Sequence, residues 1–447
     1  MQTQFIKKIL GVFLLTGLLF GCKKDDNLTP LPPVLTSVET AKFDASIAKD
    51  WMVVIREIVR TEGKNPPQAS RIYAYTGVTL YESVVNGIPE NQSLSGQLNG
   101  LNKLPSFAGA VDYPAVANEA LYNVCKEIFG ALKPINLTRL DSIYSINLTN
   151  KKAGNEQTTI DNSVKYGKQI ATAMLTWIST DNFKETRTMT YVVPSRVGNP
   201  QFWAPTDAVN LNPAEPFWGQ LRCFSMTSAD MCEAPELVSF STVPGSAFYN
   251  QAMEVLTVNQ NLTQGQKDIA KWWADGPSVT ATPSGHWVGI ENDLTVNLKL
   301  NLATAASMYA MVGIAEADAF ISCWYSKYKY NLLRPATYIR DFIAGNASWS
   351  SLLPTPAFPE YPSGHSVSSG ASSEVLTAIL GNLSFTDRTN TNLGFTPRFY
   401  TSFYEAADEA ALSRLYGGIH YREANETGIK QGRAIAQFLL RRVHLKK

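Results

Sequence analysis

Phe358-Pro359-Glu360-Tyr361-Pro362-Ser363-Gly364-His365 is the stretch on which the chemistry of this 447-residue chain converges. It places a hydroxyl, a glycine amide and an imidazole next to one another. Glycine lets the backbone approach a bound anion, Ser363 can donate a hydrogen bond, and His365 titrates near neutral pH. The stretch therefore predicts a site for a tetrahedral oxyanion with an acid or base beside it.

The same four letters, Pro-Ser-Gly-His, occur earlier in the chain at 283–286. A motif this short carries little weight alone. His286 is followed by Trp287 and, from near Leu294, by a helical pattern. We therefore interpret His286 as a packing or capping histidine and expect only the later copy to carry chemistry.

Basic residues flank the later copy on both sides. Upstream, Lys327 and Arg334 are spaced by about two helical turns, so we expect them to project from one face of a helix. Downstream, Arg414 and His420 add a third cation and a second imidazole. Together with the serine and the glycine amide, these groups predict a site for a multiply charged oxyanion.

In this order and at these separations, the segments 327–335, 362–365 and 413–420 resemble the three-part signature of the vanadium-dependent haloperoxidases and of the type 2 phosphatidic-acid phosphatase (PAP2) superfamily. With Trp324 included, the signature region runs from 324 to 420. Trp324 and Phe358 resemble residues of fungal chloroperoxidase and bacterial iodoperoxidase pockets. The lipoprotein-like start and the long N-terminal region are most similar to the bacterial iodoperoxidases.

The resemblance implies vanadate as the cofactor and hydrogen peroxide and a halide as the partners. His420 would coordinate vanadate through a ring nitrogen, His365 would move the peroxide proton, and Lys327 would polarise the peroxide. Trp324 and Phe358 would form the halide pocket. The groups that would neutralise the vanadate oxygens are Lys327, Arg334, Ser363, the Gly364 amide and Arg414.

The sequence leaves two points undetermined, the role of Asp275 and the residue that holds His420. Asp275, which follows Trp272-Trp273-Ala274, resembles a carboxylate set behind one of the anion-binding arginines, or it simply caps a turn. The family often has an aspartate four residues after the last histidine, where this chain has Ala424. A metal-bound histidine needs a partner for its other nitrogen, so the partner of His420 is undetermined.

Two other functions fit the same residues. In a phosphatase, His420 would attack a phosphate monoester and His365 would protonate the leaving group. A lipoprotein that only captures an oxyanion would need the cations but not two histidines. Trp324 and Phe358 favour the peroxidase, as does the lack of an apolar stretch of membrane-spanning length after Cys22. We expect iodide as the halide because it is the most easily oxidised, with bromide as a second possibility.

The first residues predict export from the cytoplasm. Lys7 and Lys8 precede an apolar stretch, and Leu19-Phe20-Gly21-Cys22 resembles a lipobox. We therefore expect residues 1–22 to be a lipoprotein signal peptide and residues 23–37 a flexible linker. Cys22 would carry the lipid that anchors the protein outside the cytoplasm, in the periplasm or on the outer membrane of a Gram-negative bacterium. The linker is proline-rich from 28 to 33.

From 38 to 447 the apolar residues recur every three or four positions, which predicts an all-α protein with a large helical-bundle domain. The resemblance implies two halves that each resemble a four-helix bundle. Prolines and glycines between 185 and 235 predict a long surface loop that walls a pocket. We expect a monomer or small oligomer.

Net charge and the cysteines indicate the class of partner and the state of the thiols. A net charge of +1 argues against nucleic acid as a partner, because binding phosphates needs an excess of lysine and arginine. In an oxidising compartment, Cys223 and Cys232 either form a local disulfide or remain thiols. Cys125 and Cys323 lie in apolar helical patterns, and we expect both to be buried thiols.

Overall fold

Helices dominate the computed structural model, which describes residues 36–206 and 212–447. The predicted all-α class is confirmed. The helices are α1 (Ser46–Glu62), α2 (Pro66–Val84), α3 (Tyr113–Phe129), α4 (Pro134–Lys152), α5 (Gln157–Ile178), α6 (Phe183–Thr186), α7 (Ala247–Gln260), α8 (Gln264–Trp272), α9 (Thr282–Asn297), α10 (Leu302–Tyr330), α11 (Pro335–Phe342), α12 (Gly364–Leu380), α13 (Phe403–Tyr416) and α14 (Arg422–Arg442).

A short hairpin is the exception to the helical architecture in the described ranges. Strand β1 (Phe385–Asp387) pairs antiparallel with β2 (Arg398–Tyr400), with Phe385 opposite Tyr400. Each strand has three residues, too few for an alternating pattern to be recognised in the sequence. The predicted signal peptide, including Cys22, lies outside the described residues.

Local sequence sets where several helices begin. A side chain just before the helix accepts a hydrogen bond from a backbone amide in the first turn, which satisfies a donor that the helix leaves free. These capping residues are Asn65 before α2, Asp112 before α3, Asn301 before α10 and Ser363 before α12. Ser363 therefore serves both as a helix cap and as a predicted site residue.

Glycines bring two pairs of long helices into close contact. In α2, a Cβ on Gly77 would overlap the Tyr309 carbonyl of α10, and a Cβ on Gly313 would lie 2.9 Å from the Ala74 Cα. In α12, a Cβ on Gly370 would lie 2.5 Å from the Ile429 carbonyl oxygen of α14. Both pairs pack at backbone contact, and only glycine permits this spacing.

The proline-rich region between 185 and 235 is only partly a surface loop. Trp203, Trp218 and Phe224 are buried in it. The Asp318 carboxylate of α10 accepts hydrogen bonds from the Phe224 amide at 2.6 Å and the Ser225 amide at 2.8 Å. The prediction of a surface excursion is wrong for this part, because a buried carboxylate and apolar side chains draw the loop into the core.

The described cysteines are free thiols. Cys223 and Cys232 do not form a disulfide in this structure, and Cys125 and Cys323 are buried as expected. Burial raises the pKa of Cys323 to about 11, so this thiol stays protonated. Among the described helices, none has the length and apolar character that a membrane span requires.

Candidate oxyanion site

Lys327 and Arg334 converge from different elements and not from one helix face. Helix α10 ends at Tyr330, and Asn331 adopts the left-handed conformation with φ +47°, which turns the chain. Arg334 then stands immediately before α11, whose first residue is Pro335. The prediction that both cations share a helix face is wrong, although the turn brings both side chains to the loop before α12.

Arg334 is fully buried and has one unused donor. Its Nε donates to the Phe358 carbonyl at 3.0 Å, and its Nη1 donates to the Ile419 carbonyl at 2.9 Å. Within the described ranges, Nη2 has no hydrogen-bond partner. Burial lowers the pKa of Arg334 to about 10, so the guanidinium remains charged at neutral pH. A buried, charged and unused donor is expected to bind an anion.

His420 is held by Glu360. Its Nδ1 lies 2.7 Å from Glu360 Oε1, which also accepts from the Tyr421 amide at 3.0 Å. Burial and the charge of Arg334 hold the pKa of His420 well below its usual value. The neutral ring therefore donates from Nδ1 and carries its lone pair on Nε2, which accepts a hydrogen bond from Arg334 Nη1 at 3.1 Å in the ligand-free protein.

Glu360 supplies the partner that the sequence left undetermined. The sequence does not single out Glu360, because the resemblance places the carboxylate just after His420, where this chain has Ala424. Glu423, in that region, instead accepts from the Val238 amide and the Gln251 side chain. A glutamate held between two prolines in the quoted stretch was an available signal, but only the fold shows that it reaches His420.

Ser363 and Gly364 form the N-terminal turn of α12. The Ser363 hydroxyl oxygen accepts from the Ser366 hydroxyl at 2.9 Å, which leaves the Ser363 proton free to be donated. A Cβ on Gly364 would lie 3.4 Å from the Trp324 ring, an ordinary contact distance, so the turn lies next to the indole. The helix N-terminus adds amide donors and a favourable dipole for an anion.

His365 and Arg414 lie together at the same helix N-terminus. Arg414 Nη1 is 3.4 Å from His365 Nε2, and Arg414 Nε donates to the Ser413 hydroxyl at 3.0 Å. Burial and the Arg414 charge hold the pKa of His365 well below its usual value. His365 is half-buried, whereas Arg414 is buried. The imidazole is therefore neutral and its lone pair can accept a hydrogen bond or a proton, while the Arg414 charge makes it a weaker base than a free histidine.

Lys327 binds backbone carbonyl groups of the loop before α12. Its ammonium donates to three carbonyl groups, those of Pro359 at 3.0 Å, Glu360 at 2.9 Å and Pro362 at 2.5 Å. These contacts use all three donors. Burial lowers the pKa of Lys327 to about 7. The contact of Lys327 with vanadate and peroxide stays a prediction, and its charge is near enough to depress the pKa of His420.

Trp324 and Phe358 form one aromatic wall. Their ring centroids are 4.9 Å apart, at an interplanar angle of 49°. The Phe358 ring faces two cations, with Lys327 Nζ at 5.1 Å and Arg334 Cζ at 4.9 Å from its centroid. The wall therefore adjoins the basic side of the site, and its role as a halide pocket stays a prediction.

Asp275 lies behind the site without bonding an arginine. It accepts from His286 Nδ1 at 2.9 Å, while Asp387 lies 2.7 Å from His286 Nε2. The two carboxylates raise the pKa of His286 to about 10, against the opposing effect of burial. His286 is thus a buried imidazolium, stacked on Trp273 at 4.1 Å.

The earlier Pro-Ser-Gly-His copy lies within a helix. Helix α9 begins at Thr282, so the expected start near Leu294 is wrong. Pro283 occupies the first turn, where its missing amide proton costs no hydrogen bond.

The Asp275 charge partly opposes the effect of burial on the pKa of Arg414, which is lowered to about 10. Asp275 therefore acts on the site only through space.

The donor set fits vanadate. The neutral Nε2 of His420 can coordinate a metal, and the free Arg334 Nη2, the Ser363 hydroxyl and the α12 amides can donate to its oxygens. Arg414 adds a second permanent charge beside His365. Lys327 adds charge only when protonated. These groups suit a compact anion with several oxygens.

Comparison with proteins of known structure agrees with the site. A bacterial vanadium-dependent iodoperoxidase matches this chain with a TM-score of 0.84 and 35% sequence identity, over 92% of this chain and 99% of that one. The chain belongs to the vanadium-dependent haloperoxidase family.

Other members of the haloperoxidase family match smaller parts or only the fold. The profile of the VCPO second helical-bundle domain matches residues 307–446. Vanadium chloroperoxidase from Curvularia inaequalis is 32% identical over 123 residues, and the match spans 22% of this chain and 20% of that protein. A holo bacterial vanadium-dependent chloroperoxidase shares the fold, with a TM-score of 0.64 at 16% identity over 90% of this chain and 98% of that one.

Proposed function

We propose that this haloperoxidase uses vanadate and hydrogen peroxide to oxidise a halide, iodide first, to hypohalous acid. The observation that carries the proposal is the Glu360–His420 hydrogen bond of 2.7 Å. It fixes a neutral imidazole with its Nε2 lone pair next to a buried guanidinium that has an unused donor. One metal-binding atom surrounded by oxyanion donors is the arrangement that vanadate needs.

When bound, vanadate supplies a Lewis-acid centre that activates peroxide. His420 would hold it through Nε2, because the hydrogen bond from Nδ1 to Glu360 fixes the tautomer whose lone pair is on Nε2. Arg334 and Arg414 remain charged at neutral pH because their lowered pKa values are still about 10. Both guanidinium groups are held by backbone carbonyls, so they need little reorganisation to stabilise negative charge.

His365 handles the protons in the proposed reaction. Its pKa is well below its usual value, so the free imidazole can accept a proton from hydrogen peroxide. It then returns this proton as the oxygen–oxygen bond breaks. The halide gives two electrons to peroxide oxygen, a halogen–oxygen bond forms, and hypohalous acid and water result after uptake of one further proton.

The aromatic wall supports a halide as the electron donor. Trp324 is buried, and Phe358 is half-buried and lies against two cations. Apolar rings beside positive charge suit a large, weakly hydrated anion, because it loses little hydration there. The 35% identity to a bacterial iodoperoxidase also supports iodide as the first substrate to test.

An assay on one preparation tests the proposal. Purified apoprotein should gain peroxide-dependent iodide oxidation when orthovanadate is added, and phosphate should suppress this gain by competing for the same donors. Phosphomonoester hydrolysis is measured in parallel. If vanadate only inhibits a vigorous phosphatase and never supports iodide oxidation, His420 acts as a phosphate-accepting nucleophile and the peroxidase proposal fails.

We also propose that the mature protein is anchored outside the cytoplasm by a lipid on Cys22, through the segment Leu19–Cys22. Cell fractionation and mass spectrometry of the mature N-terminus test this. A Cys22→Ala variant should lose the lipid and leave the membrane fraction. A cytoplasmic wild-type protein that retains Met1 would contradict the proposal.

A further inference from the structure

A short segment from 214 to 219 contacts the aromatic wall from outside. The Ala214 carbonyl accepts from Trp324 Nε1 at 3.1 Å and from the Tyr328 hydroxyl at 2.7 Å. The Ala214 amide donates to the Ala357 carbonyl at 2.8 Å, next to Phe358. The backbone of one residue, Ala214, is therefore bonded to Trp324 through its carbonyl and to the backbone next to Phe358 through its amide.

The segment is held by the carboxylate of Glu215. Its Oε1 accepts from Asn65 Nδ2 at 2.9 Å, Gln68 Nε2 at 2.8 Å and Arg187 Nη1 at 2.9 Å. Its Oε2 accepts from Arg187 Nη2. The side chain is only 4% exposed, so four donors converge on one buried carboxylate. Such a group fixes the backbone to which it belongs.

Glu215 has φ +55°, a left-handed conformation that side-chain-bearing residues rarely adopt. Non-glycine residues keep this conformation only where the surroundings enforce it. The four hydrogen bonds to Glu215 are those surroundings. Without them, the peptide between Ala214 and Glu215 is expected to relax, and the acceptor for Trp324 Nε1 moves with it.

We propose that Glu215 is a positioning residue that sets halide selectivity by fixing the Ala214 carbonyl against Trp324. The inference rests on the proposed haloperoxidase function. Glu215 contacts neither the oxyanion donors nor His365, so it acts through the aromatic wall alone. It lies in the first half of the chain, outside the region matched by the VCPO profile.

The test compares Glu215→Gln with the wild type under saturating vanadate. Glutamine keeps the size of the side chain but cannot accept both Arg187 donors as a carboxylate does. We expect the KM for iodide to rise about tenfold and the preference for iodide over bromide to fall, with vanadate affinity and the KM for peroxide unchanged. Arg187→Gln should shift the same quantities in the same direction, and it provides the test if Glu215→Gln does not fold.

Glu82→Gln is the matched control. Glu82 is also buried and holds a different loop, through the Ser93 hydroxyl at 2.8 Å and the Leu94 amide at 2.6 Å. It should lower stability without changing the iodide-to-bromide ratio. Two results would overturn the proposal. One is that Glu215→Gln and Arg187→Gln lower activity with iodide and with bromide equally. The other is that Glu82→Gln changes the iodide-to-bromide ratio as Glu215→Gln does.

A measurement without catalysis separates this inference from the proposed function. Iodide quenching of tryptophan fluorescence is measured on the apoprotein, with Trp324→Phe versions of each variant used to isolate the Trp324 signal. Trp324 is 1% exposed, and Glu215→Gln should make it accessible to iodide. If the wild type proves not to oxidise halide but quenching increases, the positioning role stands and the function fails. If oxidation occurs and quenching is unchanged, the positioning role fails.

Discussion

Glu360 Oε1 lies 2.7 Å from Nδ1 of His420, although 60 residues separate them in the chain. This pair orients the only nitrogen that we assign to vanadate. Glu360→Gln should weaken vanadate binding by about 10–100-fold, because an amide does not enforce the same ring tautomer. Titration of the apoprotein with vanadate, followed by recovery of activity, measures the effect.

Glu423→Gln is the control for this substitution. Glu423 is the acidic residue next to Ala424, and it bonds the Val238 amide and Gln251 instead of His420. It should bind vanadate as the wild type does. Equal weakening in both variants would show that loss of negative charge, and not the contact with His420, is responsible.

The lowered pKa of Lys327 predicts that the protein takes up a proton when an oxyanion binds. Its pKa is about 7 in the ligand-free protein because of burial, and a bound anion favours the ammonium form and raises this pKa. Above pH 7, binding should therefore take up a proton, and affinity should fall as pH rises. Calorimetry of sulfate binding at pH 8, in buffers of different ionisation enthalpy, measures the uptake.

Lys327→Met should remove this uptake, whereas Lys329→Met should not. Lys329 lies on the same helix but pairs with Glu233 at the surface. Sulfate keeps its charge in this pH range, so the probe does not contribute protons. Uptake that persists in Lys327→Met would assign the proton to another group.

Substitution of the histidine in each Pro-Ser-Gly-His copy should have a different effect on the protein. His365→Ala should lose turnover with a smaller loss of stability than His286→Gln, because the ring is half-buried and its polar contacts are a hydrogen bond to the Trp273 backbone and an approach to Arg414 at 3.4 Å. His286→Gln leaves two buried carboxylates without their cation and should cost about 3–5 kcal/mol of unfolding free energy at pH 6. Equal loss of activity in the two folded variants would contradict the assignment.

The cost of His286→Gln should depend on pH. The folded pKa of His286 is about 10 and its ordinary value is 6.5, so the native state holds the proton more tightly. The stabilisation is complete below pH 6.5 and is lost as pH rises toward 10. Urea unfolding of wild type and His286→Gln should show a difference that narrows over this range, and a constant difference would show that His286 is not charged in the native state.

Phe358→Ala should change halide preference without changing vanadate affinity. The ring is removed, but the Phe358 carbonyl still accepts from Arg334 Nε at 3.0 Å. We expect the iodide-to-bromide ratio to change by about tenfold. Phe399→Ala, at a ring that is 64% exposed, is the control. Loss of vanadate binding in a folded Phe358→Ala would assign the ring to the oxyanion site.

Much of the helical fold was predictable because helix signals are local. Asn65, Asp112, Asn301 and Ser363 cap helices whose apolar spacing is visible in the sequence. Lys327 and Arg334 lie at one loop because of the left-handed turn at Asn331, and not because they share a helix face as predicted. That turn depends on one residue and has no periodic signal in the sequence. Local signals thus give the elements but not the turns between them.

The candidate site was predictable in its cations and histidines but not in its partners. Glu360 and Glu215 act on residues distant in the chain, so their roles depend on packing. The three carbonyl acceptors of Lys327 belong to backbone, which no residue type can reveal. His286 shows the converse, because an identical tetrapeptide becomes a buried ion cluster when two aspartates surround it.

The glycine contact between α12 and α14 limits which parts of the chain can change by mutation. Gly370 holds α12, the helix capped by Ser363, at backbone distance from Ile429, so the oxyanion donors belong to a frame that tolerates almost no change of volume. Trp324 and Phe358 instead meet a loop fixed by side chains. If the proposed function holds, substitutions in the 214–219 segment should change halide preference in laboratory evolution, while the frame that carries the oxyanion donors stays unchanged.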